Sequence, residues 1–265
     1  MPNPFPRYCE IIAGLAIYLA AGLFCVATAN AQNQTETEEF PLRLDGDIGL
    51  GVYDTRSIIR GRNESATVLP YAYADYGRLF ARIDTFGIKT MKLGYGYLEL
   101  AGRVELDGFK ANTPGLQGLS ERKNSLPLGI GTLQETPLGA LFINAFYDVN
   151  KSNGNLLEFT YVGKLARQNI TIYPQAGAEY LSKQYVGYYY GVSATEATAS
   201  RHVRYQPGGA FNPFVAAMVE TKITADWNLN LFVRHKWLAS AIYDSPIVGR
   251  KGMDTVFASF AYRFK

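Results

Sequence analysis

The feature that most constrains the fold is the alternation of apolar and polar side chains from Trp227 to Trp237. One face of this segment is apolar except at His235 and carries a tryptophan at each end, whereas the opposite face is mostly polar. Ten residue steps of about 3.3 Å, tilted by about 40°, span about 25 Å, the height of the apolar band of an outer-membrane barrel. We therefore predict a strand with Trp227 and Trp237 in two aromatic girdles. His235 then lies near an interface, or the strand is shifted.

The same alternation recurs in other segments of the chain, including 157–161, 170–180 and 256–264. The last segment ends in alternating aromatic residues and resembles the terminal strand that the barrel-insertion machinery reads, with Lys265 after the final Phe264. A soluble barrel with its apolar face inside is the alternative. The aromatic strand ends, and a charged fraction of only 18%, favour apolar faces that meet outer-membrane lipid.

The N-terminus has the pattern of a cleavable secretory signal. Arg7 precedes an apolar run at 11–26, and Ala29-Asn30-Ala31 supplies small residues that place cleavage between Ala31 and Gln32. A single membrane anchor is the alternative, but the run is short and no basic cluster follows it. The sequence therefore divides into a signal peptide at 1–31, a short polar segment at 32–42 and a barrel at 43–265. Both cysteines, Cys9 and Cys25, lie in the signal.

Turn residues divide the barrel region into candidate strands. A bacterial single-chain barrel needs an even strand number, because both termini face the periplasm. The candidates number eleven, and the alternation of turns between the two sides of the membrane fails between residues 79 and 110. Either one more strand lies there, giving twelve, or one candidate is not a strand, giving ten; we favour twelve. The longer connections, including a helix-containing one at 181–210, are then extracellular. The eleven candidates are 43–53, 67–76, 79–88, 95–107, 127–135, 140–149, 156–165, 169–180, 211–224, 227–238 and 254–264.

Charged side chains on the polar faces are candidates to line the barrel interior. They form either a salt-bridged interior that plugs the barrel or the wall of a narrow solute pathway, since a barrel of this size is intermediate between filled and open. The predicted interior charges are Glu158, Lys164, Glu179, Arg234, Lys236 and Arg263.

Motifs for chemistry are lacking in the sequence. The two histidines, His202 and His235, have no cysteine or carboxylate at ligand spacing, and neither a nucleophile elbow nor a phosphate-binding loop occurs. We therefore predict no catalytic residues, metal or cofactor. A net charge of +3 without a basic run indicates no nucleic-acid partner.

Several short segments, taken in order, resemble the MipA/OmpV family of outer-membrane proteins. These segments are Leu69-Pro70-Tyr71, Asp75-Tyr76-Gly77-Arg78-Leu79-Phe80, Tyr189-Tyr190-Gly191-Val192-Ser193, Tyr205-Gln206-Pro207-Gly208, Asn212-Pro213, Asp244-Ser245-Pro246-Ile247-Val248 and Tyr262-Arg263-Phe264.

The resemblance implies a location in the outer membrane of a Gram-negative bacterium and a scaffolding role. In the best-known member, that role is to bridge a lytic murein transglycosylase and a murein synthase. The family has no established catalytic residues to carry over. A narrow channel or small-solute receptor is the alternative function.

Overall fold

The computed structural model describes residues 40–61, 66–113 and 115–265. The expected signal peptide, its cleavage between Ala31 and Gln32, and all but the end of the segment 32–42 lie outside the described residues. Among the described residues, no helix is both long enough and apolar enough to cross a membrane.

The described chain forms one antiparallel sheet of thirteen strand segments. Most of them run 8 to 13 residues, which suits a tilted crossing of the hydrocarbon layer. In chain order they are β1 (Leu44–Thr55), β2 (Thr67–Tyr76), β3 (Leu79–Arg82), β4 (Thr85–Leu93), β5 (Gly96–Arg103), β6 (Leu128–Thr136), β7 (Gly139–Tyr147), β8 (Asn155–Val162), β9 (Leu165–Arg167), β10 (Ile170–Leu181), β11 (Ala210–Lys222), β12 (Trp227–Trp237) and β13 (Gly252–Phe264).

The sheet closes on itself, because β1 pairs with β13 and β10 pairs with β11. Both β8 and β9 pair with β10, so they are two parts of one wall strand and the barrel has twelve strands. The prediction of twelve is confirmed. The missing strand lies in 79–88, which we predicted as one strand but which turns back at Ile83-Asp84 to form β3 and β4.

The two faces of the wall differ as the alternation predicts. On β12, Leu229, Leu231 and Val233 point outward and are 45–47% exposed, whereas Asn228 and Asn230 point inward and are at most 2% exposed. An apolar outside with a buried polar inside is the reverse of a soluble barrel and fits a protein surrounded by hydrocarbon.

Two prolines lie at wall positions where the neighbouring strand is interrupted on one side. The carbonyl of Ala72 accepts from the Ile83 amide, so even-numbered residues of β2 direct their backbone polar groups toward β3. Because β3 reaches only to the level of Tyr73, the nitrogen of Pro70 faces a side with no strand partner among the described residues. Pro174 likewise faces the break between β8 and β9, where its carbonyl accepts from Gly163. Proline costs little where no ladder hydrogen bond is lost.

Long connections gather at one end of the barrel, and the tight turns other than Ile83-Asp84 lie at the opposite end, together with the described termini. Three of the long connections, 104–127, 182–209 and 238–251, fold over the barrel opening, and we call them the cap. They hold three short helices: α1 (Lys183–Tyr190), α2 (Ala194–Ala199) and α3 (Ser240–Tyr243). The helix expected in 181–210 is thus confirmed, as two helices. By the usual orientation of such barrels, the cap is extracellular and the tight turns are periplasmic.

Candidate functional site

The inside of the barrel near the cap is bridged by a buried ion pair. Lys236 of β12 contacts Glu179 of β10 at 2.8 Å, and Asn212 of β11 donates to the same carboxylate at 3.2 Å. Since β11 separates β10 from β12, the lysine and glutamate meet through the interior. Both side chains are about nine-tenths buried, so the charges are stabilised by each other rather than by water.

A second ion pair crosses the interior between more distant strands. Both terminal nitrogens of Arg103 on β5 donate to Glu158 on β8, at 2.9 and 3.2 Å. Arg103 also donates from Nε to the Thr85 hydroxyl at 3.1 Å. A bidentate pair fixes the direction of both side chains as well as their distance. This pair ties together walls that the sheet separates by β6 and β7.

The third set of charges lies at the periplasmic end of the interior. Arg263 of β13 donates to both oxygens of Asp47 on β1, at 2.8 and 2.7 Å. It also donates to both oxygens of Glu220 on β11, at 3.3 and 2.8 Å. One guanidinium thus serves two carboxylates, each about nine-tenths buried, and links three strands.

Five of the six predicted interior charges lie inside the barrel. Glu158, Glu179, Lys236 and Arg263 form the ion pairs described above, and Arg234 places its guanidinium 5.8 Å from the centre of the Phe214 ring. Lys164 is different: it lies in the exposed break between β8 and β9. The alternation of β8 ends with that strand at Val162, so it does not place Lys164, which lies in the break before β9.

Several interior charges were missed by the sequence reading. Their alternation with apolar neighbours was the available signal, as in Asp47 beside the outward Ile48, but their partners lie on strands far apart in the chain. The missed residues are Asp47, Asp75, Arg82, Lys89, Glu99, Arg103 and Glu220.

Tyrosines of α1 fasten the cap over the interior. The hydroxyls of Tyr185 and Tyr190 both donate to Asp107, at 3.1 and 3.4 Å, and Tyr185 packs on Tyr189 with ring centres 4.7 Å apart. Tyr185 and Tyr189 are fully buried. Burial raises the pKa of Asp107, and the charge of Glu179 adds to that rise, while Lys236 and the two tyrosine hydroxyls oppose it. The tyrosine cluster is therefore packing within the cap.

A second contact joins the two longest cap connections. Glu196 of α2 accepts from the Ser120 amide at 2.9 Å and from Arg122 at 2.8 Å, and it closes a capping box with Ser193. Burial opposes ionisation of this carboxyl, but these hydrogen bonds prevail and lower its pKa to about 2.

One small cavity lies beneath the cap. The cavity bounded by Asp107, Glu179, Tyr190 and Lys236 has a volume of about 10 Å³, room for about one water molecule. A cleft of about 590 Å³ lies on the cap itself, between residues 108–113 and 121–124.

The two tryptophans lie on the outer face at opposite ends of β12. Trp227 stacks on Phe260 of β13 with ring centres 4.6 Å apart and meets Tyr262 edge to face. Trp237 at the cap end contacts His235, with ring centres 4.7 Å apart. His235 thus lies at the extracellular end of the strand rather than within its apolar middle. That these two tryptophans belong to two aromatic girdles stays a prediction.

Neither histidine belongs to a recognisable catalytic or metal site. His202 contacts the carbonyl of Gly115 at 2.7 Å, and His235 contacts Asp254 at 2.6 Å on the outer face. Spacing along the sequence could not reveal the second contact, because pairing of β12 with β13 creates it. No group of three metal-ligating side chains occurs in the part of the chain that the structure describes.

The periplasmic end carries an excess of basic residues, which we call the periplasmic rim. Among the residues that the structure describes, seven cations there face three acids, Asp45, Glu135 and Asp226, the last of which is 3.4 Å from Lys265. The cations are Arg43, Arg78, Lys92, Lys164, Arg167, Lys222 and Lys265.

Comparison with known proteins places the chain among envelope proteins. A family model described as MltA-interacting protein MipA matches residues 48–264. The chain is 25% identical over 160 residues to the MltA-interacting protein of Escherichia coli K12, covering 59% of this chain and 64% of that protein. It is 24% identical over 221 residues to the putative outer membrane protein YiaT of the same strain, covering 82% of this chain and 90% of that protein.

A third relative is the outer membrane protein OmpV of Vibrio cholerae, 29% identical over 171 residues, which are 63% of this chain and 64% of that protein. The chain thus spans less than two thirds of the MltA-interacting protein and of OmpV, and most of YiaT.

Proposed function

The chain belongs to the MltA-interacting protein (MipA) family and is an outer-membrane β-barrel of a Gram-negative bacterium, and from this premise we propose that it is a non-catalytic scaffold that binds a peptidoglycan-remodelling enzyme. The observation that carries the proposal is the set of ion pairs inside the barrel beneath a packed cap. One ion pair crosses the interior between β5 and β8, two further sets join nearby strands from the inside, and a packed cap covers the opening. A barrel closed in this way acts through its surfaces rather than by passing solutes.

The enzyme partner that we propose is a lytic murein transglycosylase, with a murein synthase as a further member of the assembly. The name of the relative in Escherichia coli, MltA-interacting protein, supports the first of these. The substrate of a murein transglycosylase, peptidoglycan, lies on the periplasmic side of the membrane. The partner therefore meets the barrel at its periplasmic end, and the periplasmic rim is the surface offered to it.

Three neighbouring cations of the rim form the proposed contact. Lys164 directly precedes β9 and Arg167 is its last residue. Lys222 ends β11 beside them, with its amide donating to the Asn169 carbonyl at 2.8 Å. All three side chains are exposed, and none has an ion-pair partner among the described residues. Unpaired surface cations of this kind attract an acidic partner surface and speed its association.

A pull-down from detergent-solubilised envelopes tests the proposal. Tagged protein should recover a murein transglycosylase, and Lys164→Gln/Arg167→Gln/Lys222→Gln should reduce that recovery about tenfold. The matched control neutralises three exposed cations at the opposite end, Lys183→Gln/Arg201→Gln/Arg204→Gln, and should recover as much enzyme as the unsubstituted protein. Recovery of no murein enzyme by the unsubstituted protein would refute the scaffold role.

A second candidate is a narrow channel or solute receptor. The charged interior favours it, since Arg234 is inside the barrel and its Nε lacks a hydrogen-bond partner among the described residues. Electrical recording across a planar bilayer separates the two functions.

A further inference from the structure

The extracellular edge of the barrel carries a basic cluster directly above lipid-facing strands. After β1 ends, the chain runs on alongside the segment that enters β13. Backbone hydrogen bonds join the two segments: the Arg56 amide donates to the Asp254 carbonyl, the Gly249 amide to the Ile58 carbonyl, and the Arg60 amide to the Ile247 carbonyl, at 2.8 to 3.2 Å. This two-stranded extension brings together the exposed cations Arg56, Arg60, Arg250 and Lys251, which we call the outer basic cluster. Residues 56 to 60 span about 13 Å.

Little negative charge opposes this cluster. The two acids on the same described segments are Asp54 and Asp254, and Asp254 is already 2.6 Å from His235. The side chains of Arg56 and Arg250 make no ion pair with described residues, while Lys251 lies 5.0 Å from the Tyr243 ring and Arg60 donates to the Val248 carbonyl at 2.9 Å. The cluster therefore keeps unused capacity for anions.

Below the cluster, the outer face changes from charged to apolar within one residue pair. Arg56, Asp254 and His235 occupy one level across β1, β13 and β12, with Trp237 beside them. Val256 of β13 and Val233 of β12 lie opposite each other at the next level down and are both exposed. The surface thus offers cations and an aromatic side chain above a hydrocarbon-facing wall.

We propose that the outer basic cluster binds lipopolysaccharide, the phosphorylated glycolipid of the outer leaflet, through its lipid A phosphates. Guanidinium groups pair with phosphate oxygens in a bidentate manner and hold them better than an ammonium group does. The acyl chains then lie along the apolar faces of β12 and β13. The position at the extracellular edge selects a lipid of the outer leaflet, and the site does not depend on the proposed enzyme partner.

The test uses the two tryptophans of the chain. In a Trp227→Phe background, Trp237 is the one remaining tryptophan of the sequence, is excited selectively near the red edge of the absorption band, and lies at the cluster. Titration of the mature protein in detergent with bisphosphorylated lipid A should change Trp237 emission and saturate. Arg56→Gln/Arg250→Gln/Lys251→Gln should weaken the affinity at least about tenfold. The same change at Lys183, Arg201 and Arg204, on another part of the extracellular side, should alter it less than about twofold.

Further ligands separate phosphate recognition from other sources of affinity. Dephosphorylated lipid A should bind as weakly as the triple variant binds lipid A, and inorganic phosphate alone should leave the emission unchanged. Equal affinity of the two lipids, or of the triple variant and the unsubstituted protein, would overturn the proposal. If heat-modifiable electrophoretic mobility shows that the triple variant does not fold, Arg250→Gln alone should weaken binding about threefold.

Discussion

Removal of the guanidinium at the periplasmic end should be among the most damaging single changes to the barrel. In Arg263→Met, Asp47 and Glu220 lose four hydrogen bonds and are left facing each other. Each carboxylate is about nine-tenths buried. Breaking a buried pair by removing one partner costs about 3–5 kcal/mol. Lys265→Met is the matched control, because its pair with Asp226 is exposed at both side chains and should contribute at most about 1 kcal/mol.

Urea unfolding of the refolded protein in lipid vesicles, followed by tryptophan fluorescence, measures these free energies. Trp227 reports on the region directly, since it contacts Tyr262 next to Arg263. A triple variant, Asp47→Asn/Glu220→Gln/Arg263→Met, removes the stranded charges and should recover at least half of the loss. If Arg263→Met unfolds within about 1 kcal/mol of the unsubstituted protein, the ion-pair set does not close the periplasmic end as described.

Three further predictions concern the cap and the wall. The pKa of Glu196 is lowered from 4.5 to about 2, so the stability that its carboxylate gives the cap should be complete above pH 4.5 and lost as the pH falls toward 2. Amide hydrogen exchange in 182–209 should follow this pH dependence, and Glu196→Gln should abolish it. An unchanged pH profile in Glu196→Gln would contradict the prediction. Leu69→Pro removes an amide directed at β1 and should cost about 1–3 kcal/mol in urea unfolding. Val68→Pro removes an amide directed at the side that β3 does not reach and should cost clearly less. Equal losses in the two variants would contradict the assignment of this side of β2 as unpaired. Ile83 has φ of 65°, so Ile83→Gly should be more stable than Ile83→Ala by about 1 kcal/mol in urea unfolding, because both variants lose the apolar side chain but glycine adopts a positive φ without strain. Equal stability of the two variants would show that the turn is not strained.

The fold was largely predictable because hydrocarbon imposes a strict rule on each strand. Every backbone polar group must be paired, so only closed barrels and helices cross a membrane. Alternation then indicates most strands, and the even-number requirement indicates that the count fails between residues 79 and 110, with twelve strands favoured over ten. The strand positions follow from the local alternation, and the closed, even-numbered barrel follows from the need to pair every backbone polar group.

The β3–β4 hairpin was not predicted because its turn carries no glycine, proline or asparagine. Ile83-Asp84 forms the turn with a β-branched residue at positive φ, which sequence statistics place elsewhere. One signal was available: the outward positions change from odd numbers at Leu79 to even numbers at Phe86 and Ile88. A change of phase inside an apparently continuous strand indicates a turn.

The ion pairs inside the barrel could not be derived from the sequence. Arg103 and Glu158 are 55 residues apart, and they meet only because the sheet closes with a particular stagger between strands. Alternation assigns each charge to a face, but partners across the interior depend on the register of every strand between them. The contact of His235 with Asp254 likewise depends on register, in this case on the pairing of β12 with β13 alone.

Planar-bilayer recording tests most directly whether the barrel is closed and acts through its surfaces. With the ion pairs and cap in place, we expect the purified protein to insert without steady conductance steps in 1 M salt. Steady conductance that falls in Arg234→Ala would show an open path past the interior charges and would contradict the closed barrel.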